Sequence, residues 1–253
     1  MSRTDPRDQF GATAQSYLNS PSHSDAEELA HCVELTRPQG GPILDVGTGA
    51  GHLAYAFSPR CSRVVALDVT PEMLEIVESE AAKRGLSNIE SCLAPAEALP
   101  FPVETFEGVA TRTAAHHFDD REAFLDEAFR VTKPGGWLLV VDTTGIEEPL
   151  ADEGLDRFER ERDPSHRRNW PPSIWIQAIG AAGYRIEHTE VVSRRHDFER
   201  WLDRMRVEEP IRSRLHDVLV HSEGELRDYL SPEIRDERLT FTLRQITVSA
   251  TKP

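Results

Sequence analysis

The sequence predicts an α/β fold: an open, largely parallel sheet with helices on both faces. Three observations lead there. Strand and helix signals alternate from residue 43 to about residue 142. The first apolar run, Ile43-Leu44-Asp45-Val46, gives way to glycines at 47, 49 and 51, and a helical pattern opens behind them. The second run, Arg63-Val64-Val65-Ala66-Leu67-Asp68, ends on a carboxylate.

Taken in order, strands are expected at 42–47, 63–68, 88–93, 106–112 and 136–142, with helices at 50–58, 71–84 and 120–131. Thr70 stands where a helix N-cap is needed, Pro71 suits the first helical turn and Gly85 suits the stop. Lys133-Pro134-Gly135-Gly136 reads as a turn feeding a buried strand. After 142 the pattern changes. Helices are expected at 150–162 and 172–182, then a strand at 184–192, helices near 197–207 and 209–222, and a closing strand at 239–250. The last two strands form an antiparallel edge, which makes a seven-stranded mixed sheet. The expected division is an N-terminal helical arm or lid over 1–40, a nucleoside-binding half over 41–145 and a substrate-side half with inserted helices over 146–253. There are no internal repeats.

Composition narrows the function. The net charge is −15. Residues 1–150 hold 11 basic and 24 acidic side chains, whereas residues 151–253 hold 18 and 20. An acidic ligand-binding half argues against nucleic acid or an anionic membrane as substrate. The longest apolar stretch, Trp137–Val141, is far too short to span a bilayer. Cys32, Cys61 and Cys92 lack metal-type spacing, and no metal site is expected. The polar start of the chain and the isolated cysteines suit a cytoplasmic protein. The sequence leaves the oligomeric state open.

The glycine spacing bears on the ligand. Dinucleotide loops use G-x-G-x-x-G, which aims a helix N-terminus at a pyrophosphate. Here the spacing is G-x-G-x-G, with Asp45 two residues ahead of the first glycine. A carboxylate there suits a ligand with an ammonium group. Asp68 is placed to accept from both hydroxyls of a ribose.

Five segments carry a family resemblance. Leu44–Gly51 resembles the first motif of class I S-adenosylmethionine-dependent methyltransferases, and Val65–Leu74 the second. Ala94–Pro102 resembles the segment that wraps the adenine, Phe106–Phe118 the fourth motif and Ala128–Asp142 the fifth. Their order and spacing are similar to those of the small-molecule type related to the ubiquinone/menaquinone C-methyltransferases. The arm (Phe10, Tyr17, Ser20, Pro21, His23) and Arg162-Asp163-Pro164-Ser165-His166 resemble a bacterial subgroup.

The resemblance implies a Rossmann-like fold, S-adenosylmethionine as cofactor and a small-molecule acceptor of the aromatic or quinol-like kind. It implies cofactor contacts from Asp45, Gly47, Thr48, Gly49, Gly51, His52, Asp68, Val69, Met73, Pro95, Ala96, Glu97 and Arg112, and from Tyr17 in the arm. Pro95 departs from the family pattern, which has an acidic residue there to accept from the adenine amino group. A proton-bearing acceptor needs a base, and histidine is the natural one near neutral pH. His117 and His166 are the candidates, the first after strand four and the second in a segment expected to cover the acceptor. As candidates for the base, His52, His116 and His23 are weaker, since such histidines are more often packing or surface residues. Two alternatives stand beside this reading: a cofactor-binding regulatory module without transfer activity, and an NAD-dependent oxidoreductase, which would need the other glycine spacing.

Overall fold

A computed structural model describes residues 25–253. The arm segment with Phe10, Tyr17 and His23 lies outside the described residues. Helix α1 (Ala26–Thr36) starts at Asp25, whose side chain accepts from the Glu27 and Glu28 amides. Then follow β1 (Gly40–Val46), α2 (His52–Phe57), β2 (Cys61–Asp68), α3 (Pro71–Arg84), β3 (Ile89–Leu93), β4 (Phe106–Arg112), α4 (Arg121–Val131) and β5 (Thr132–Thr143). The second half contains α5 (Pro149–Arg162), α6 (Pro172–Ala181), β6 (Arg185–Asp197), α7 (Phe198–Asp203), α8 (Glu209–His221), α9 (Gly224–Leu230), β7 (Glu233–Arg235) and β8 (Arg238–Thr251).

The strand order is β3-β2-β1-β4-β5-β8-β6, with β7 paired to β8. Strands β1 to β5 pair in parallel, and β8 runs antiparallel to both β5 and β6. The mixed sheet of the sequence reading is therefore present, with β7 as an added three-residue strand. That strand had no sequence signal of the usual kind. Asp236 and Glu237 form its two-residue turn with φ of 49° and 62°, where Asn-Gly is the common solution.

Alternation along the strands sorts the core onto two faces. Leu44, Val65, Leu67, Leu138 and Val140 point into one apolar cluster, closed by Phe124 of α4 and Trp175 of α6. Ile43, Val64, Ala66, Leu139 and Val141 point into the other, closed by Cys32 of α1, Phe57 of α2 and Val77 of α3. Both faces are covered, so these strands read as nearly unbroken apolar runs. A third cluster joins α5, α7, α8 and α9 to the far end of β8, with Trp201 stacked 5.1 Å from Phe158 and edge-on to Phe241 at 4.9 Å. This cluster is the scaffold of the second half of the chain.

Some boundaries differ from expectation. The Lys133–Gly136 turn lies within β5, whose pairing with β4 shifts register between Phe106 and Gly108. Strand β6 continues to Asp197, five residues past its expected end. Apart from Val191 its exposed residues are polar, and pairing with β8 along its whole length overrides the weak apolar pattern. Helix α9 was not expected. Thr70 occupies the N-cap of α3, yet its side chain makes no capping bond. The Asp68 carboxylate instead accepts from the Thr70 amide at 2.9 Å.

Gly108 shows how tightly the two layers meet. A Cβ built there falls 2.1 Å from the Trp137 ring, itself stacked on Phe57 at 5.4 Å. Gly108→Ala is expected to destabilise the chain by about 1–3 kcal/mol through overpacking. Denaturant unfolding of the variant checks this, and an unchanged midpoint would show that the indole moves without cost.

Candidate functional site

A cavity of about 1290 Å³ opens at the carboxyl ends of the parallel strands. That exceeds the roughly 300–1,000 Å³ of a pocket for one small ligand, so there is room for two. One wall comes from the glycine loop and the end of β2. Gly47 and Thr48 donate their amides to the Leu67 carbonyl at 2.8 and 3.0 Å, which pins the loop to the neighbouring strand. The Asp68 carboxylate accepts from the Gly49 amide at 2.9 Å as well as from Thr70. The Thr70 hydroxyl and the Val69 amide also favour the charged form of this carboxylate, and Asp68 lines the cavity. Gly49 has φ of 53°, and no atom of the described residues lies within 4 Å of a Cβ built there. A side chain at that position would enter the cavity.

Asp45 lies under the loop and is 1% exposed. It accepts from the Thr48 hydroxyl at 2.6 Å. Burial pushes its carboxyl up to about 6, against the opposing pull of Thr48 and Arg112. Burial likewise raises Asp68, with the Gly49 and Thr70 amides opposing it. Arg112, at the end of β4, pairs with Glu28 of α1 at 2.7 Å, and the other Glu28 oxygen takes Arg194 of β6 at 2.6 Å. This chain of charges, buried at Arg112 and Glu28, ties α1 to two strands beside the cavity.

Most of the expected contacts come together here. Asp45, Gly47, Thr48, Gly49, His52, Asp68, Val69, Met73, Pro95, Ala96, Glu97, Arg112 and His117 all line the cavity. Gly51 does not: a Cβ there would meet the Tyr55 ring at 2.6 Å, so this glycine lets α2 pack and faces away from the cavity. Tyr17 lies outside the described residues. Glu97 is partly committed, since one oxygen accepts from the Asp119 and Asp120 amides at 2.8 and 3.2 Å.

The histidines divide differently from the sequence expectation. His166 is 2% exposed, bonds Asp156 at 3.1 Å and is not among the cavity-lining residues. It stands behind the wall, with its ring 5.6 Å from that of His116. His116, read as a packing residue, lines the cavity. Its Nδ1 lies 2.6 Å from an Asp142 oxygen, and its amide donates to the other at 2.8 Å. Burial alone would depress this imidazole, but the Asp142 carboxylate outweighs burial and raises it above the ordinary histidine value. His117 is pushed down to about 3 by burial and by the neighbouring His116 charge. Its ring is 4.1 Å from that of His116, and Ser165 Oγ lies 3.2 Å from its Nδ1.

Asp142 closes the segment that resembles the fifth motif, and its sequence signal is that it ends an apolar run just as Asp68 ends β2. Asp163 and Glu28 gave no such signal, because each reaches the site from a helix or loop through long-range packing. Asp163 accepts from the Ser165 amide and hydroxyl and so orders the segment beside His117.

Comparison with known proteins agrees with this geometry. Residues 44–140 match the family model of the methyltransferase domain. The chain is 30% identical over 246 residues to the uncharacterized methyltransferase YcgJ of Bacillus subtilis (strain 168), covering 96% of this chain and 97% of that one. It is a class I S-adenosylmethionine-dependent methyltransferase. The solved YcgJ structure superposes on this methyltransferase with a TM-score of 0.85 over 89% of this chain and 98% of that chain. A solved structure from Bacillus halodurans C-125, 34% identical, gives the same TM-score over 90% of this chain and all of the other. The ubiquinone/menaquinone biosynthesis C-methyltransferase of Hydrogenovibrio crunogenus is 32% identical over 134 residues, about half of each protein. Family membership displaces the oxidoreductase alternative. No helix among the described residues is long and apolar enough to cross a membrane.

The Asp45 shift makes a pH prediction for the methyltransferase without ligand. Its folded-state carboxyl titrates higher than in the unfolded chain, so between about pH 4 and 6 the folded state holds the extra proton. This contribution to stability is present at low pH and is lost as pH rises through 6. Asp45→Asn removes the buried charge, and should stabilise the chain by on the order of 2 kcal/mol at pH 7.5 while having little effect at pH 4. Unfolding curves at the two pH values check this. An equal effect at both would mean that the carboxyl is not titrating in that window.

Proposed function

We propose that the protein transfers a methyl group from S-adenosylmethionine to a small-molecule acceptor bound between the glycine loop and the second half of the chain. The observation that carries this is the Asp68 carboxylate lining the cavity at the end of β2, next to a glycine whose missing side chain leaves the cavity clear. The residues present suit that cofactor. Asp68 would accept both ribose hydroxyls. Asp45 would face the ammonium group, whose charge favours the ionised carboxylate that burial disfavours. Val69 and Met73 would pack against the adenine, and the Ala96 amide would donate to a ring nitrogen. Pro95 offers no side-chain acceptor, and the Glu97 oxygen left open by its backbone bonds is available to the adenine amino group.

When bound, S-adenosylmethionine supplies both the activated methyl group and its leaving group. The chain then has three tasks: to position the acceptor, to exclude water and to take a proton where the acceptor carries one. His116 is the better proton acceptor of the two cavity histidines. Asp142 fixes its tautomer, with Nδ1 as the donor and Nε2 open, and stabilises the imidazolium formed. His117 stays neutral and lies against the same space. His166 holds the following segment through Asp156 and so acts as a positioning residue.

Incubation with isotopically methyl-labelled cofactor and a small-metabolite extract tests the reading. It should give a labelled low-molecular-weight product. Cofactor binding with no labelled product would favour a regulatory module. With the acceptor in hand, His116→Ala should lower the rate by about 10²–10⁴-fold where a proton is lost in the reaction, and abolish the rise of rate with pH. An unchanged rate and pH profile would remove His116 from the proton path.

A further inference from the structure

The cavity wall opposite the glycine loop is basic, although the chain carries 44 acidic against 29 basic residues. Arg162 at the end of α5, Arg194 on β6, Arg204 after α7 and Arg244 on β8 all line it. These arginines are not alike. Arg194 is neutralised by Glu28 at 2.6 Å and Asp25 at 3.6 Å. Arg162 and Arg244 form no ion pair with any described residue. Both are nevertheless held in place. The Arg162 guanidinium lies 4.3 Å over the Trp201 ring, and its Nε donates to the Trp201 carbonyl at 3.2 Å. The Arg244 guanidinium lies 5.0 Å over the Tyr229 ring, with one weak bond to the Asp228 carbonyl at 3.4 Å.

Acids are abundant in this protein, and arginines elsewhere in the second half use them: Arg212 pairs with Glu199 and Asp203, and Arg214 with Glu161. Arg162 and Arg244 line the cavity, are fixed by aromatic stacking and make no ion pair with a described residue, although the Arg162 charge is felt by the neighbouring Asp163. Each is therefore a preorganised fork on the same cavity. Stacking holds the guanidinium plane without consuming its outer donors, and that plane matches a carboxylate or phosphate. His196 shows that the field there is positive. It lies among Arg204, Arg162 and Arg194, and burial together with these charges pushes it down to about 4. Trp201 and Leu243 supply apolar wall beside the arginines.

We propose that the methyl acceptor is an organic anion, an apolar body bearing a carboxylate or phosphate, whose charged group is held by Arg162 and Arg244. This rests on the reading of the cavity as a methyl-acceptor site, and it narrows the acceptor class beyond a small molecule.

The test uses the full chain saturated with S-adenosylhomocysteine and titrated with benzoate, inorganic phosphate and the neutral isostere benzamide. Benzoate or phosphate should bind about tenfold or more tightly than benzamide. Arg162→Gln with Arg244→Gln should abolish that preference while leaving S-adenosylhomocysteine affinity within about twofold of wild type. The charge-conserving Arg162→Lys, Arg244→Lys variant should retain phosphate binding but weaken benzoate, because lysine cannot form the two-pronged bond. It also keeps the test open if the glutamine variant does not fold. Equal binding of benzoate, phosphate and benzamide to the wild type would overturn the inference, and so would anion binding indifferent to both variants. Anion binding by a wild type that fails to bind S-adenosylhomocysteine would overturn the methyltransferase reading and leave the anion site standing.

Discussion

The two backbone bonds accepted by Asp68 hold the site together. One comes from Gly49 in the loop after β1, the other from Thr70 at the start of α3. A single buried carboxylate thus joins two parallel strands, the glycine turn and a helix N-terminus. Parallel strands that are neighbours in the sheet end at the same edge, so a residue at the end of β2 necessarily lies beside the loop after β1. Burial disfavours the charged form of this group, and the two amides oppose that penalty. Without them the carboxylate would have reason to turn to solvent, and the loop would lose its anchor on that side.

The second half answers a different constraint. Strand β8 enters between β5 and β6 in the reverse direction, so the chain between β6 and β8 leaves and returns at one edge of the sheet, the edge where the parallel strands end. The helices inserted along that path could not share the central core. They form their own cluster around Phe158, Trp201 and Phe241. That cluster brings Trp201 and Tyr229 under Arg162 and Arg244, so the apolar packing that stabilises the insertion also fixes the charges facing the cavity. The same division appears in the composition: the acidic half lines the cavity with carboxylates and turns, and the nearly balanced half lines it with guanidinium groups.

Local signals made the first half legible. The alternation of strands and helices, the glycines at 47, 49 and 51, and the carboxylates Asp45 and Asp68 are all set within a few residues of one another, and the structure places them at one edge. The second half was harder to read because long-range pairing decides it. Strand β6 outruns its own apolar pattern, and β7 turns on Asp236-Glu237 where no glycine marks the hairpin. The histidines show the same limit. Their positions after strand four and in the 162–166 segment were visible, but which imidazole faces the cavity depends on Asp142 and Asp156, two carboxylates brought in by separate elements.

The most direct test of the ribose assignment is a binding cycle by calorimetry. S-adenosylhomocysteine and its 2′-deoxy analogue are titrated into the wild type and into Asp68→Ala. If Asp68 holds the diol, removing the hydroxyl weakens binding to the wild type by about 1.5–3 kcal/mol, and the difference disappears in the variant. A deoxy penalty of the same size in both proteins would contradict the account, because the hydroxyl would then be bound by some other group.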